Sequence, residues 1–477
     1  MDKLLRYAKQ LALNPAKSIQ PISMRIAYVV SHGQSYASHG YSIRTHAIAS
    51  ALNAQGLEAL CFVRPGRPWD LEGYSGNIPP ELKLDEVRYI HTCWPDFPSN
   101  KRERLEQSVE RFIELFQIFR PSVILAASNY VVGLPAWVAA KRMGIPFYYE
   151  VRGFWELSRA ALDPEYENTN DFKAERERDI FLAKQAVKVF TINQLMRAEL
   201  VKRGVASGKI ELVPNSLSFQ PEIKPASEAL KKKLGINSKD KVVGYIGSFT
   251  AYEGLDLLIE ACDQLVEQGQ SLKLLLVGDD KQLTQTPRAK KQFTDQPWLI
   301  QVGRVTNFEL ADYYALVDTV VIPRKKLLVC ELVPPFKIVE ALAYGKRVLV
   351  SDLPPLIEYE REYDLVNSFE HNKKGALANA INSVQRMPSV EAYMKATYSN
   401  FAKSMVTVLK SDKIQDESLF RFGLPSKVAD LIRLSKRMAL LKHRLQAKPI
   451  HRLVAVVVSH GPTSCLLYTS DAADDVR

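Results

Sequence analysis

A chain of 477 residues is longer than one ordinary hydrophobic core serves, so two or three domains are expected. Its 46% apolar and 25% charged residues are those of a water-soluble globular protein, and no run approaches the roughly 20 apolar residues that cross a bilayer. The net charge of +11 points to an anionic partner, for which nucleotide diphosphates, phospholipid head groups and nucleic acid all qualify.

The first 23 residues are basic. They carry neither a continuous apolar stretch nor a small-residue cleavage site, which excludes a signal peptide. Leu4, Leu5, Ala8, Leu11 and Ala12 fall on one side of a short amphipathic helix, read as a frayed or loosely docked leader. Arg25–Val30 is then the first buried strand. A loop, SHGQSYASHG, leads into a helix over Tyr41–Gln55. Strands at Leu57–Val63 and near Glu86–Ile90 precede a long amphipathic helix over Lys101–Phe119. Strand Val123–Ala127, helix Leu134–Met143, strand Pro146–Val151, helix Phe172–Ala186, strand Val187–Ile192 and helix Gln194–Arg203 follow. Short apolar strands alternating with amphipathic helices mean βαβ units and a parallel, doubly wound sheet. The series closes near Ile210–Val213, and residues 214–221 read as a linker.

A second series begins at Lys241. Strand VVGYIG, loop SFTAYEG, helix Leu255–Glu267 and strand LKLLLVG lead to Asp279-Asp280. A helix over about Gln282–Phe293, strand Trp298–Val302 and helix Asn307–Leu316 follow. The richest stretch is next: strand Asp318–Ile322, the basic triplet Arg324, Lys325 and Lys326, and an apolar, proline-bounded loop with Glu331. A helix over about Phe336–Tyr344, capped by Gly345, and strand Arg347–Val350 complete it. In such a unit ligands bind beyond the carboxyl ends of the strands, beside a helix N-terminus whose free N–H groups suit phosphate. Cations at a strand end, with Glu340 on the following helix, suit a diphosphate and a pair of ribose hydroxyls.

The chain changes character after residue 405. Leu424–Ala447 has apolar residues at helical spacing on an otherwise basic surface, the pattern of a membrane-surface helix or of the charged outer face of a docked one. Arg452–Ser459 reads as a fresh buried strand. From about Thr463 the residues read as translated adapter sequence behind a truncated reading frame. Five scattered cysteines (Cys61, Cys93, Cys262, Cys330 and Cys465) form no CxxC, which argues for a reducing compartment and against a zinc site.

ELVPPFKIVEALAYGKRVLVSD resembles the donor-site segment of the retaining GT-B glycosyltransferases of family 4, the group 1 transferases. That family carries two glutamates separated by seven residues, whereas eight (332–339) separate Glu331 from Glu340 here. The resemblance covers roughly residues 24–405. It implies an α/β GT-B fold, two Rossmann-like doubly wound parallel-sheet domains facing a cleft. The acceptor-side domain would span 24–214 and the nucleotide-sugar domain 215–405. A basic helical extension over 406–461 and a non-native tail over 462–477 would follow.

Several residues then acquire candidate roles. GYSIRTHAIASAL is similar to the family's glycine-to-helix segment facing donor and acceptor, so Gly40 would admit a ligand to the backbone. Arg44 and His46 would lie on the acceptor side, His46 with the plainer alternative of a packed helix residue. Just past a buried strand, YYEVRGFWELSR places Glu150 and Arg152 where relatives commonly show His-Gly. Arginine cannot act as a base there. It would bind a phosphate or carboxylate, or simply hold the loop by pairing with a glutamate.

The loop Gly247–Gly254 matches the family's position for a diphosphate-binding arginine and lysine, but Ser248 and Glu253 occupy those places. Arg304, Arg324 and Lys337 are the expected compensation, with Gly247 and Ser248 also binding the donor. Glu331 would orient the donor sugar and Glu340 the ribose. No metal motif is placed at a strand end, and no bound cofactor is expected; a nucleotide-diphosphate sugar would be the substrate. A glycan or lipid-linked acceptor would be the partner, in the cytoplasm or on the inner face of the cytoplasmic membrane, with an anionic membrane surface as a further partner. No nucleic-acid module is visible. Two other readings remain: a GT-B binding or scaffold protein that has lost catalysis, and another GT-B enzyme such as an epimerase.

Overall fold

The computed structural model describes residues 2–71, 74–94, 98–216, 221–278, 296–306, 309–384 and 405. The expected elements at 282–293, 424–447 and 452–459, the Asp279-Asp280 pair and the tail from 463 lie outside them.

The opening segment is docked rather than frayed. In α1 (Lys3–Leu11) Leu4, Leu5, Ala8 and Leu11 are all buried, and Asp2 caps the helix by accepting from the Leu5 N–H at 2.9 Å. β1 (Arg25–Val30) is buried along its whole length. α2 (Gly40–Ala54), β2 (Glu58–Val63), β3 (Glu81–Leu84), β4 (Val87–Ile90) and α3 (Lys101–Phe119) follow. Tyr7 donates to Glu106 at 2.8 Å, and the Arg102 guanidinium lies 5.3 Å from the Tyr7 ring centre, fastening α1 to α3. Then come β5 (Val123–Ala127), α4 (Tyr130–Met143), β6 (Phe147–Val151), α5 (Trp155–Ala160), α6 (Asn170–Gln185), β7 (Val189–Thr191), α7 (Gln194–Lys202) and β8 (Ile210–Leu212). The eight strands form one sheet in the order β3-β4-β2-β1-β5-β6-β7-β8.

β3 was not expected. It pairs antiparallel with β4, while β1 with β2, β1 with β5, β2 with β4 and β7 with β8 pair in parallel. Its ELKL sequence is only half-buried, so at the edge of the sheet it lacks the apolar signature of a central strand.

The second sheet uses α8 (Glu228–Lys233), β9 (Lys241–Ile246), α9 (Leu255–Glu267), β10 (Leu272–Val277), β11 (Leu299–Gly303), α10 (Leu310–Leu316) and β12 (Thr319–Ile322). α11 (Leu328–Leu332), α12 (Phe336–Ala343), β13 (Arg347–Ser351), α13 (Pro354–Glu362), β14 (Val366–Phe369) and α14 (Ala376–Ser383) complete it. Its order is β11-β10-β9-β12-β13-β14, all parallel. Val243, Tyr245, Leu258, Cys262, Leu274, Leu276 and Val321 lie at the centre of its core, each fully buried. The order reverses direction between β9 and β12, and a ligand site is expected beyond the carboxyl ends of the strands at that switch point.

The chain divides into two compact units, one holding the described residues up to Tyr149 and the other Glu150–Met405. Among the described residues no helix is long and apolar enough to cross a membrane.

Candidate functional site

The switch point of the second sheet brings together two loops far apart in sequence. β9 ends at Ile246 and runs into Gly247–Gly254; β12 ends at Ile322 and runs into Pro323 and Arg324. Parallel pairing of β9 with β12 (Val243 with Thr319, Gly244 with Val320) fixes their approach. Gly254 is what allows it. Its φ of +74° is left-handed, and a Cβ there would overlap the Pro323 carbonyl oxygen.

Within this junction Glu253 is the centre of charge. Its Oε1 accepts from Arg324 Nη2 at 3.0 Å and Nε at 3.3 Å, and its Oε2 meets Lys337 Nζ at 2.7 Å. The three side chains are 4%, 7% and 9% exposed. Such low exposure matters because a lone buried carboxylate would be unstable. Burial alone would raise the Glu253 carboxyl, but the two cations and their hydrogen bonds prevail and lower it to about 2. Lys337 Nζ also reaches the Tyr245 hydroxyl, and that hydroxyl donates to the Ser248 carbonyl at 2.7 Å. Arg324 Nη1 donates to the Val333 carbonyl at 2.8 Å. The clasp therefore joins β9, β12, the Glu331 loop and α12.

Two of the cations expected to replace the missing pair, Arg324 and Lys337, thus converge, on a carboxylate. Arg304 is exposed just past β11. Gly247 is half-buried with φ +144°, its Cα facing the Lys337 side chain, and Ser248 is exposed beside it.

Glu331 sits not in an open loop but on the short α11, whose flank is held from the other side of the sequence. Asn193 caps α7 by accepting from the Met196 N–H at 2.9 Å while its amide donates to the Leu332 carbonyl at 3.1 Å. Asn215, placed in the expected linker, donates to the Pro334 carbonyl at 3.3 Å. Glu340 is half-buried on α12. Burial pushes its carboxyl up to about 7 against the opposing pull of Lys337. Tyr314 and Tyr344 stack beside it with ring centres 4.3 Å apart. The first turn of α12 has no side-chain cap, so its N–H groups remain suited to an anion.

Glu150 and Arg152 form an interior ion pair of 2.9 Å, 0% and 3% exposed. The loop-holding pair that the sequence offered as an alternative is therefore present. In the other unit Gly40 is the first residue of α2, and His39 and Ser42 cap that end reciprocally. Arg44 is buried. His46 bonds the Tyr89 hydroxyl at 2.9 Å and Asp85 at 3.1 Å, and burial lowers its pKa despite Asp85. That is the packed-helix alternative for His46.

Sequence alone shows Glu253 only as a carboxylate where the family carries a cation, because both of its partners come from distant segments. Asn193 and Asn215 gave no signal beyond a capping residue and a turn residue. Among the described residues no group of three or more His, Cys, Asp or Glu is placed to hold a metal ion.

Comparison with known proteins places these features. Residues 226–401 match the family model "Glycosyl transferases group 1", and residues 39–216 match the "Glycosyl transferase 4-like domain". A lipopolysaccharide 1,2-N-acetylglucosaminetransferase of Salmonella typhimurium is 25% identical over 182 residues, 36% of this chain and 46% of that protein. The chain thus spans about half the length of that relative. Sucrose-phosphate synthase from Thermosynechococcus elongatus superposes with a TM-score of 0.58 at 19% identity, covering 88% of this chain and 99% of its own. Anabaena HepE in complex with UDP-glucose gives 0.53 at 16% identity, with coverage of 87% and 99%. At these identities the structural likeness establishes the fold.

Proposed function

Since the chain belongs to the group 1 glycosyl transferases and has their GT-B fold, we propose that it moves a sugar from a nucleotide-diphosphate donor to a glycan or lipid-linked acceptor. The products would be a polysaccharide or glycolipid. The observation that carries this reading is the joint at the β9–β12 switch point. There Glu253 holds Arg324 and Lys337 together, with the uncapped start of α12 and the half-buried Glu340 on the same helix as Lys337. The HepE complex with UDP-glucose supports a uridine-linked donor.

In the transfer, the bond from the sugar's anomeric carbon to the diphosphate oxygen breaks and a bond from that carbon to an acceptor hydroxyl oxygen forms. The hydroxyl proton leaves with the diphosphate. Negative charge grows on the departing phosphate, and Arg324, Lys337 and the α12 N–H groups would stabilise it without rearranging. The backbone of Gly247 and Ser248 would add donors and Arg304 a further cation. Glu331 would hold donor-sugar hydroxyls and Glu340 the ribose diol. Arg152, steadied by Glu150, would position the reacting end. Retention at the anomeric carbon is the family expectation. The net charge of +11 supports work at an anionic membrane surface from the cytoplasmic side.

Glu253 favours a second reading. Its carboxylate already occupies both cations, so a diphosphate competes with a fixed anion, as in a GT-B protein that binds without turnover. Isothermal titration with UDP, followed by product analysis with UDP-glucose and UDP-N-acetylglucosamine, separates the two. UDP binding that weakens in Glu340→Ala, with sugar released or transferred, supports the transferase. Binding without turnover of any nucleotide sugar supports the second reading, and no binding by any nucleotide diphosphate sinks both.

A further inference from the structure

The peptide that joins α11 to α12 is held by its carbonyl groups, and two of the residues that hold it have no role above. Leu332, Val333 and Pro334 follow Glu331 directly, and each of their carbonyl oxygens accepts from a side chain of a different segment. Asn193 Nδ2 donates to Leu332 at 3.1 Å, Arg324 Nη1 to Val333 at 2.8 Å and Asn215 Nδ2 to Pro334 at 3.3 Å. Pro334 and Pro335 then lead straight into Phe336, the first residue of α12. Their rings fix φ, so the segment is a stiff bar between Glu331 and the first turn of α12. α11 itself has only 5 residues. So short a helix does not hold its own place in water; these bonds supply it.

Both asparagines stand on firm supports. β7 and β8 pair in parallel with Thr191 opposite Leu212, and Asn193 and Asn215 follow just beyond those ends. The Val213 N–H donates to the Thr191 carbonyl at 2.7 Å, which ties the second loop to the first strand. Asn193 is 9% exposed and Asn215 7%. The Asn193 side-chain oxygen is committed to the Met196 N–H as the cap of α7, so its NH2 group is the part that faces Leu332. Both asparagines and the bar belong to the unit Glu150–Met405. α12 has its own anchor, Lys337 on Glu253 at 2.7 Å. The two amides therefore bear on Glu331 more than on the phosphate end of the site.

We propose that Asn193 and Asn215 are positioning residues for the donor sugar. Their amides set where Glu331 stands relative to α12, and hence where the sugar hydroxyls are held relative to the diphosphate. They act through Glu331, not on the substrate. A carboxylate that must meet a sugar hydroxyl tolerates little displacement, and a shift of about 1 Å costs about 100-fold in rate. This inference rests on the transferase reading and on the role of Glu331 within it.

The test is titration calorimetry of the full chain with UDP, UDP-glucose and UDP-N-acetylglucosamine, alongside turnover of the two nucleotide sugars. Asn193→Ser keeps an oxygen to cap α7 and removes the amide donor, while Asn215→Asp keeps the side-chain outline and removes its donor. Each variant should bind UDP within about twofold of the wild type. Affinity for the nucleotide sugar relative to UDP should fall about threefold or more, and kcat about tenfold or more. In a Glu331→Gln background Asn193→Ser should change that ratio no further, because the group it positions is gone. Hydrogen exchange over residues 328–333 should quicken in Asn193→Ser without any ligand. UDP and nucleotide sugars weakening together, or an additive loss in the Glu331→Gln background, would make the asparagines plain structural supports and overturn the proposal. Faster exchange with an unchanged ratio would do the same. A wild type that binds none of the three ligands sinks the donor reading and this role with it, a failure visible before any variant is made.

Discussion

Two carboxylates in this molecule are each gripped by two cations, Glu253 by Arg324 and Lys337 and Asp70 by Arg64 and Arg67. Both stand beyond the carboxyl ends of parallel strands, and they do different things. Around Glu253 every partner is a buried side chain reaching from another element, so the trio ties β9, β12 and α12 together. Around Asp70 both partners come from one short turn, and the group remains more exposed. The same charge motif joins separate elements in the first place and staples a single turn in the second. Burial and the sequence distance between partners distinguish them.

Removing the carboxylates tests that contrast most severely. Glu253→Ala leaves two buried cations facing each other and should cost about 3–5 kcal/mol of stability. Asp70→Ala should cost markedly less in chemical denaturation, because its cations can gain solvent or an anion. Equal losses would erase the distinction. The acid limb adds a second view. With its carboxyl lowered from 4.5 to about 2, Glu253 contributes stability present above about pH 4.5 and lost as pH falls toward 2. Melting temperatures of Glu253→Gln should therefore lose part of the wild-type dependence in that window.

A smaller effect is expected at the backbone. Gly254→Ala must adopt φ +74° and push against the Pro323 carbonyl, so it should cost more than about 1 kcal/mol. UDP affinity should fall with it, since the Gly247–Gly254 loop then leaves Arg324.

Glu340 sharpens the comparison from the opposite direction, because its carboxyl is raised rather than lowered. A ribose diol donates to the ionised form, so UDP should bind about tenfold tighter at pH 8 than at pH 6, following ionisation about pH 7. The linked stability runs the other way. It is fully present below about 4.5 and lost as pH rises through 7. Glu340→Gln should flatten both profiles, and a pH-independent wild-type affinity would remove Glu340 from the ribose. Least of all, His46→Gln should change stability by about 1 kcal/mol or less and leave UDP binding unaltered, as a helix residue bonded to Tyr89 and Asp85 would.

The sequence by itself determined the architecture wherever apolar period and capping agreed. Lys101–Phe119, Val123–Ala127 and Leu255–Glu267 are found with the boundaries read from the chain. These signals are local, because a strand buried on both faces must be apolar throughout and an amphipathic helix must repeat every three to four residues. It also placed Glu340 and Lys337 on one helix and Arg324 just past a strand, because a helix start after a strand is a local pattern too. Edge strand β3 escaped, being half-exposed and weakly apolar. So did the docking of α1, the partner of Glu253 and the amide bonds from Asn193 and Asn215 to the Glu331 segment. Each of those depends on what faces a side chain across 70 to 140 residues of sequence. Only the tertiary structure could turn Glu253 from a missing cation into the residue that holds two. A charge has no defined environment until the chain that surrounds it is in place.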